Sequence, residues 1–177
     1  MPFAMRKAAA SDIPAIAALM RASVEGLGPG FYDEREVAAA ARFITVPDRQ
    51  LIDDRTYFVV EEDSRLVACG GWSRRDKLFT GGGEGAADTR ALEPVTEPAR
   101  VRAMFVHPDA ARRGLGRMIL EACEQEARVA GFRKMELMAT LPGIPLYEAC
   151  GYEIVERTDL TLGDGSLLGA ARMEKLL

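Results

Sequence analysis

Histidine and cysteine are scarce in this chain, and it contains no long apolar run. The single histidine, His107, and the three cysteines, Cys69, Cys123 and Cys150, do not fall at the short spacings of metal-binding motifs, so we expect no metal site. The cysteines lie inside apolar or helical segments, which is typical of small buried side chains in a reducing compartment. No apolar stretch approaches the roughly 18 residues of a membrane helix, and the N-terminus lacks the apolar core of a secretion signal. We therefore expect a cytoplasmic protein without a membrane span.

An excess of positive charge is also missing. The net charge is -4 and the sequence pI is about 5.2, so nucleic acid is not an expected partner. The composition is that of an ordinary globular protein, with 48% hydrophobic and 28% charged residues. A chain of 177 residues with this composition predicts a single domain over residues 1–177, with a sizeable core.

The apolar periodicity alternates between that of strands and that of helices. A helix is predicted from Ser11, as its N-cap, towards the glycine-rich segment 26–30, and a second helix over 34–43. Residues 57–62 and 66–72 predict an antiparallel hairpin, and 134–140 a later strand. Further predicted elements are strands at 3–8 and 101–106, a helix from Leu115 that Gly131 ends, a short helix at 143–150, and a final hairpin of 152–162 with 167–175.

The most informative segment joins an apolar strand to a helix through a turn rich in glycine and arginine. Because the helical spacing begins at Leu115, Gly114 and Gly116 lie at a helix N-terminus. There the first backbone N–H groups have no intrahelical partner and the macrodipole is positive. Glycine has no Cβ, so a pyrophosphate can approach the main chain closely. The segment therefore predicts a phosphate-binding turn.

Two motifs in this order resemble those of the GNAT superfamily of acyl-CoA-dependent N-acetyltransferases. The turn Ala111-Arg112-Arg113-Gly114-Leu115-Gly116 is similar to the family's (Arg/Gln)-x-x-Gly-x-(Gly/Ala), although alanine stands at the first position. Downstream, Leu146-Tyr147-Glu148-Ala149-Cys150-Gly151-Tyr152 is similar to Leu-Tyr-x-x-x-Gly-(Phe/Tyr). The resemblance spans most of the chain, with its motifs confined to residues 99–120 and 140–152.

The resemblance implies an α/β fold: a central mixed, mostly antiparallel sheet flanked by helices, with splayed fourth and fifth strands. It implies acetyl-CoA as cosubstrate and direct attack by a primary amine of a small molecule or peptide. A main-chain N–H near Phe105 is then expected to polarise the acetyl carbonyl. The implied cofactor-binding residues are Met104, Phe105, Val106, Ala111, Arg112, Arg113, Gly114, Leu115, Gly116 and Arg117.

Tyr147 is the implied catalytic residue, because expelling coenzyme A as a thiolate requires a proton that a nearby phenol can supply. The alternative is an ordinary half-buried aromatic on a short helix. No general base is predicted. Arg100 occupies the position where some family members have a glutamate, His107 lies in the turn towards the phosphates, and nearby carboxylates are typical of solvated surface groups, namely Glu61, Glu62, Glu93 and Glu97.

Several alternatives stay open from the sequence. Loss of the glutamate and of the first turn residue is compatible with a non-catalytic acyl-CoA sensor, and a plain interaction domain is a third possibility. The segment 73–98 predicts a long functional loop on the acceptor side, and its Gly81-x-Gly83-x-x-Ala86 is interpreted as a chance match to a dinucleotide fingerprint. Trp72 is expected to cover a sheet edge. The acceptor and the choice between monomer and homodimer are left open.

Overall fold

The computed structural model describes residues 2–79 and 90–177, and its centre is one sheet of seven strands. The strands are β1 (Ala4–Lys7), β2 (Tyr57–Glu62), β3 (Arg65–Ser73), β4 (Ala99–Val106), β5 (Lys134–Thr140), β6 (Glu153–Thr161) and β7 (Leu167–Leu176). Their order is β1-β2-β3-β4-β5-β7-β6, and neighbours are antiparallel except β4 and β5, which are parallel. The predicted mixed, mostly antiparallel sheet is confirmed.

Five α-helices lie in the described ranges. They are α1 (Ile13–Leu27), α2 (Glu34–Phe43), α3 (Arg49–Asp53), α4 (Leu115–Val129) and α5 (Ile144–Ala149). The bounds of α2 match the prediction, because Asp33 and Glu36 form a capping box with backbone bonds of 2.8 and 2.7 Å. The sequence did not predict α3. None of these helices is long and apolar enough to span a membrane.

The start of α1 differs from the prediction. Ser11 lies in a short 3-10 turn (Ala10–Asp12), and Asp12 occupies the N-cap position of α1. The Asp12 carboxylate accepts the backbone N–H of Ala9 at 2.7 Å and pairs with Arg6 at 2.8 Å. Ser11 as N-cap was therefore wrong, since a charged carboxylate organises the chain entry more strongly than a hydroxyl does.

The two faces of the sheet bury alternate residues of the same strands. On β2, Phe58 and Val60 face the cluster beneath α4, whereas Val59 faces α1. Both faces are thus covered, which explains why Phe58, Val59 and Val60 of β2 are apolar in succession. The helical residues buried against the sheet are Ile119, Leu120 and Cys123 of α4 on one face, and Ile16, Leu19 and Met20 of α1 with Leu51 of α3 on the other.

Trp72 is a core residue and does not cover a sheet edge. It is 1% exposed, and its Nε1 donates to the Glu126 carboxylate at 2.8 Å. Its ring meets Phe132 edge-on at a centroid distance of 6.0 Å. The sequence expectation was wrong because the strand that carries Trp72 lies between β2 and β4, and strand order is a property of the whole fold.

The three cysteines are free thiols. Cys69 and Cys123 are buried as predicted, and burial raises the pKa of Cys69 to about 12, so that thiol is neutral at physiological pH. Cys150, just after α5, is only half-buried.

Candidate active site

Strands β4 and β5 run side by side only at their beginnings. Their pairing is limited to Ala99 with Met135 and Arg100 with Glu136. Beyond these two pairs the strands separate, so the prediction of splayed fourth and fifth strands is confirmed. The separation leaves a cleft between the C-terminal halves of β4 and β5.

The free edge of β4 presents main-chain groups to this cleft. His107 donates its backbone N–H to the Val67 carbonyl at 2.8 Å, towards β3. Alternation along a strand then directs the N–H and C=O of Val106, and by the same rule those of Met104, away from β3 and towards the cleft. The N–H of Phe105 faces β3, where Cys69 is its partner in the register. The donors near Phe105 that face the cleft are therefore those of its two neighbours.

A β-bulge marks the point where β4 leaves its partner. The register with β3 shifts between Arg102 and Phe105, and Ala103 has a left-handed φ of 53°. The fully buried Tyr57 holds this strained residue, because its hydroxyl donates to the Ala103 carbonyl at 2.7 Å. Gly70 lies opposite, where a Cβ would come within 2.1 Å of Met104 Sδ. The bulge thus turns the main chain of β4 towards the cleft.

The turn before α4 has the shape of an anion cradle. Arg112 and Gly114 both have left-handed φ angles, 62° and 84°, and Gly114 is the N-cap of α4. Alternating left-handed residues point successive N–H groups to one side, and the first helical turn adds its own unpaired N–H groups. A Cβ on Gly114 would meet nothing within 4 Å, so the space in front of the main chain is open. The turn therefore presents unpaired N–H groups to open space, as an anion site does.

Gly116 serves packing more than anion approach. A Cβ at this position would lie 2.6 Å from Leu146 Cδ2 of α5. The position that a side chain of residue 116 would occupy is therefore filled by protein. Because Gly116 has no side chain, α5 can pack against the start of α4. Gly116 thus has a packing role that the sequence did not predict, and its N–H belongs to the first turn of the helix.

The three arginines of the turn differ in what they touch. Arg113 donates both Nη groups to Glu62, at 3.0 and 2.8 Å, and stacks over Phe3 at 4.5 Å. Arg117 is exposed and reaches only the Ala149 carbonyl, at 3.4 Å. Arg112 is exposed and makes no hydrogen bond or ion pair within the described ranges. Arg112 and Arg117 are thus available to an anion, whereas Arg113 already has a carboxylate partner.

Tyr147 lies at the floor of the cleft. It is 7% exposed, and among described residues its hydroxyl has no hydrogen-bond partner. Its ring packs edge-on against Tyr152 at 5.9 Å, and a Cβ on Gly143 would come within 3.0 Å of Tyr147 Cε2. Burial raises the pKa of Tyr147 above its ordinary value, so the hydroxyl stays protonated at physiological pH.

Polar neighbours are few in the described lining of the cleft. Beside Tyr147 they are Thr140 and Arg102, and the latter donates to the Asp48 carboxylate at the start of α3. The other lining residues contribute apolar side chains or main-chain atoms: Ile44, Val46, Leu78, Phe79, Val101, Ala103, Met104, Phe105, Leu137, Met138 and Leu160. No described carboxylate or imidazole lines the cleft.

The residues considered as bases are engaged elsewhere. His107 accepts the Asp109 N–H at Nδ1, at 3.2 Å, and so caps a short turn. Arg100 pairs with Glu136 and with Asp76, the second at 3.0 Å. The carboxylates lie outside the cleft lining: Glu61 pairs with Arg6, Glu62 with Arg113, Glu97 with Arg90, and Glu93 is exposed.

The flanks of the long loop form a strap, defined as residues 74–79 and 90–98. Leu92 N donates to the Arg74 carbonyl at 2.7 Å, and Asp76 N to the Arg90 carbonyl at 3.0 Å. The strap brings Leu78 and Phe79 into the cleft lining. The glycine cluster of the loop, including the match to a dinucleotide fingerprint from Gly81 to Ala86, lies outside the described residues.

A larger open concavity, of about 540 Å³, lies between the end of α1 and α2. Glu25, Asp33 and Glu34 line it, together with Tyr32. The Tyr32 hydroxyl is engaged by the Gly169 carbonyl and the Leu141 N–H. This concavity shares no lining residue with the cleft between β4 and β5, which Tyr147 lines. A larger volume alone therefore does not identify it as the reaction site.

Comparisons with known proteins agree with this geometry. The profile of the acetyltransferase (GNAT) family matches residues 22–152. A GCN5-related N-acetyltransferase from Rhodopseudomonas palustris superposes with a TM-score of 0.72 at 20% identity, covering 100% of this chain and 97% of its own. PaiA N-acetyltransferase from Thermoplasma acidophilum, in complex with coenzyme A, has a TM-score of 0.69 at 17% identity, with 100% of both chains covered. YncA, a putative acetyltransferase from Salmonella typhimurium with acetyl-CoA, has a TM-score of 0.62 at 19% identity, covering 100% and 95%.

The family match covers most of the chain, and its range includes β4, β5 and the turn at Gly114. The chain belongs to the acetyltransferase (GNAT) family, whose members are acetyl-CoA-dependent N-acetyltransferases. A search of curated proteins gave no significant match. The family fixes the acyl donor and leaves the acceptor to be found.

Proposed function

We propose that the chain is a single acetyltransferase domain that moves an acetyl group from acetyl-CoA to a primary amine of a small molecule or peptide. The observation that carries the proposal is the open cradle at Gly114 together with the cleft where β4 and β5 separate. A linear cosubstrate with phosphates at one end and a thioester at the other fits both. The net charge of -4 and the free cysteines support a cytoplasmic enzyme that does not act on nucleic acid.

The first turn of α4 would hold the pyrophosphate. The N–H groups of Leu115, Gly116 and Arg117 precede the first intrahelical bond, which runs from Met118 to Gly114 at 3.0 Å. Arg112 adds an exposed positive charge, whereas Arg113 is held by its carboxylate partner. Ala111 begins the cradle, and its own N–H already donates to the Pro108 carbonyl at 3.2 Å. The cleft edges of Met104 and Val106, on either side of Phe105, would hold the pantetheine arm.

When bound, acetyl-CoA supplies an activated acyl thioester. The acceptor nitrogen attacks the thioester carbonyl carbon, a C–N bond forms, and the C–S bond breaks. The nitrogen loses one proton and the sulfur gains one, so the transfer consumes no net proton. A cleft-facing N–H of β4 would stabilise the oxygen while it carries negative charge.

Tyr147 would donate to the sulfur as it leaves. Its raised pKa keeps the proton on the hydroxyl until that moment. A thiolate in the same apolar cleft is also deprived of water, and burial raises the pKa of a thiol, as Cys69 shows. Burial thus raises the proton affinity of the donor and that of the sulfur in the same direction. Tyr147 then regains a proton that the nitrogen releases.

The test uses Tyr147→Phe with Tyr152→Phe as the matched control. Loss of a positioned general acid should lower kcat by about 100-fold while the Kd of acetyl-CoA changes little. The Tyr152 hydroxyl instead reaches Glu124 at 3.1 Å inside the core, so its loss should affect stability and leave kcat nearly unchanged. Turnover is followed by coenzyme A release with a panel of amines. Unchanged kcat in Tyr147→Phe would make this tyrosine a packing residue, and a wild type that binds acetyl-CoA without turning over any amine would be a sensor.

A further inference from the structure

The far end of the cleft has an apolar boundary that donor binding does not require. We call it the acceptor wall and define it by Ile44, Val46, Leu78, Phe79 and Leu160. These side chains come from the connection after α2, from the strap and from β6, not from the strands or helices proposed to hold acetyl-CoA. They face the same space as Ala103 at the bulge. A cosubstrate lying along β4 from the cradle would therefore end where this wall begins.

The charge of the cleft disfavours a cationic acceptor body. Arg102 is the single charged side chain in its described lining, and it is 4% exposed. Its carboxylate partner Asp48 stands behind it and does not line the cleft. A positive charge brought against this wall would lose water and would find no carboxylate in the described lining to pair with. An apolar group would lose only its unfavourable contact with water.

We propose that the acceptor is a primary amine carried on an apolar alkyl or aromatic body, and not a polyamine or another polycation. The inference rests on the proposed function and deepens it. The same surroundings favour the neutral form of the reacting nitrogen, because an ammonium group would lose water there just as a cation at the far end of the acceptor would. The cleft thereby provides an unprotonated nucleophile without a carboxylate base in its described lining.

The test compares amines of equal length that differ only at the far end. Hexylamine ends in a methyl group, 1,6-diaminohexane in an ammonium and 6-aminohexanoate in a carboxylate. We expect kcat/KM for hexylamine to exceed that of either charged analogue by about tenfold or more, because a charge is costly to place against an apolar wall. A preference for the diamine or for the amino acid would overturn the inference.

A pair of valine variants tests whether the wall causes the preference. Val46 is 53% exposed at the cleft, and Val155 is 45% exposed on β6 outside it, so both positions tolerate a polar side chain. Val46→Asp should reduce the preference for hexylamine over the diamine by about fivefold, the effect of one charge at roughly 4 Å in water-like surroundings. Val155→Asp should leave it unchanged. Equal effects of the two variants would contradict the assignment.

Failure of the inference is distinguishable from failure of the proposed function. Titration with acetyl-CoA alone tests the donor site, and no binding there would overturn the proposed function. If acetyl-CoA binds but no amine is turned over, calorimetry measures hexylamine and 1,6-diaminohexane on the coenzyme A complex. Tighter binding of hexylamine supports the inference, whereas equal binding, weaker binding or none overturns it.

Discussion

Replacing Gly114 by alanine tests the phosphate cradle most directly. Gly114 has a φ of 84°, and its Cβ would meet no protein atom within 4 Å. The chain offers a matched control in Gly165, which has the same φ of 84° and equally open surroundings in the turn between β6 and β7. Each alanine should lower the free energy of unfolding by about 1–2 kcal/mol, the cost of a left-handed L-residue. Chemical denaturation should therefore show similar losses for the two variants.

Binding of coenzyme A should separate them. At Gly114 the new methyl group occupies the space in front of the N–H groups that would face the pyrophosphate. Loss of one charge-assisted hydrogen bond costs about 1.5–3 kcal/mol, which corresponds to a rise in Kd of about 10- to 100-fold. Gly165→Ala should change Kd by less than about twofold, since its turn lies outside the cleft lining. Calorimetric titration with coenzyme A measures both values.

A truncated ligand sharpens this comparison. Acetyl-pantetheine has the thioester and the pantetheine arm but no pyrophosphate, so Gly114→Ala should bind it as the wild type does. Similar Kd values for coenzyme A in Gly114→Ala and Gly165→Ala would refute the placement of the phosphates at α4. An equal loss for acetyl-pantetheine and coenzyme A would show that the substitution acts by distorting the cleft.

Two further predictions concern the bulge and the arginines. Tyr57→Phe should lower the free energy of unfolding by about 1–3 kcal/mol, because the partly buried Ala103 carbonyl loses its donor. Adding Ala103→Gly should recover part of this loss in denaturant titrations, since glycine adopts a φ of 53° freely. No recovery would show that the bulge is not strained. Arg112→Ala should raise the Kd of coenzyme A by about fivefold and Arg113→Ala by less, because Glu62 already holds the second guanidinium. In the wild type, Arg113 holds the pKa of Glu62 below its ordinary value. In Arg113→Ala an NMR titration should show that this pKa has risen, so that Glu62 takes up its proton at a higher pH. An unchanged pKa would mean that the ion pair does not persist in solution.

Local patterns were enough to predict most helices and strands of this protein. The strand 134–140 and the helix 34–43 have the predicted bounds, because apolar spacing and a capping box act within a few residues. The helix start at Leu115, with Gly114 directly before it, was also predicted, because the apolar spacing of the helix begins there. The prediction of Ser11 as the N-cap was wrong because the adjacent Asp12 pairs with Arg6, and the helical pattern does not include that contact.

The chemistry of the cleft depended on contacts between residues far apart in sequence. Only tertiary structure brought Glu62 to Arg113, Leu146 to Gly116 and the Tyr57 hydroxyl to the bulge. Trp72 lies in the core because of the strand order, and Phe79 of the strap lies in the acceptor wall. By itself the sequence determined most of the elements, the glycine turn before α4 and the family resemblance, because these depend on neighbours along the chain. Which arginine is available to phosphate, and the apolar character of the acceptor wall, were decided when distant segments packed together.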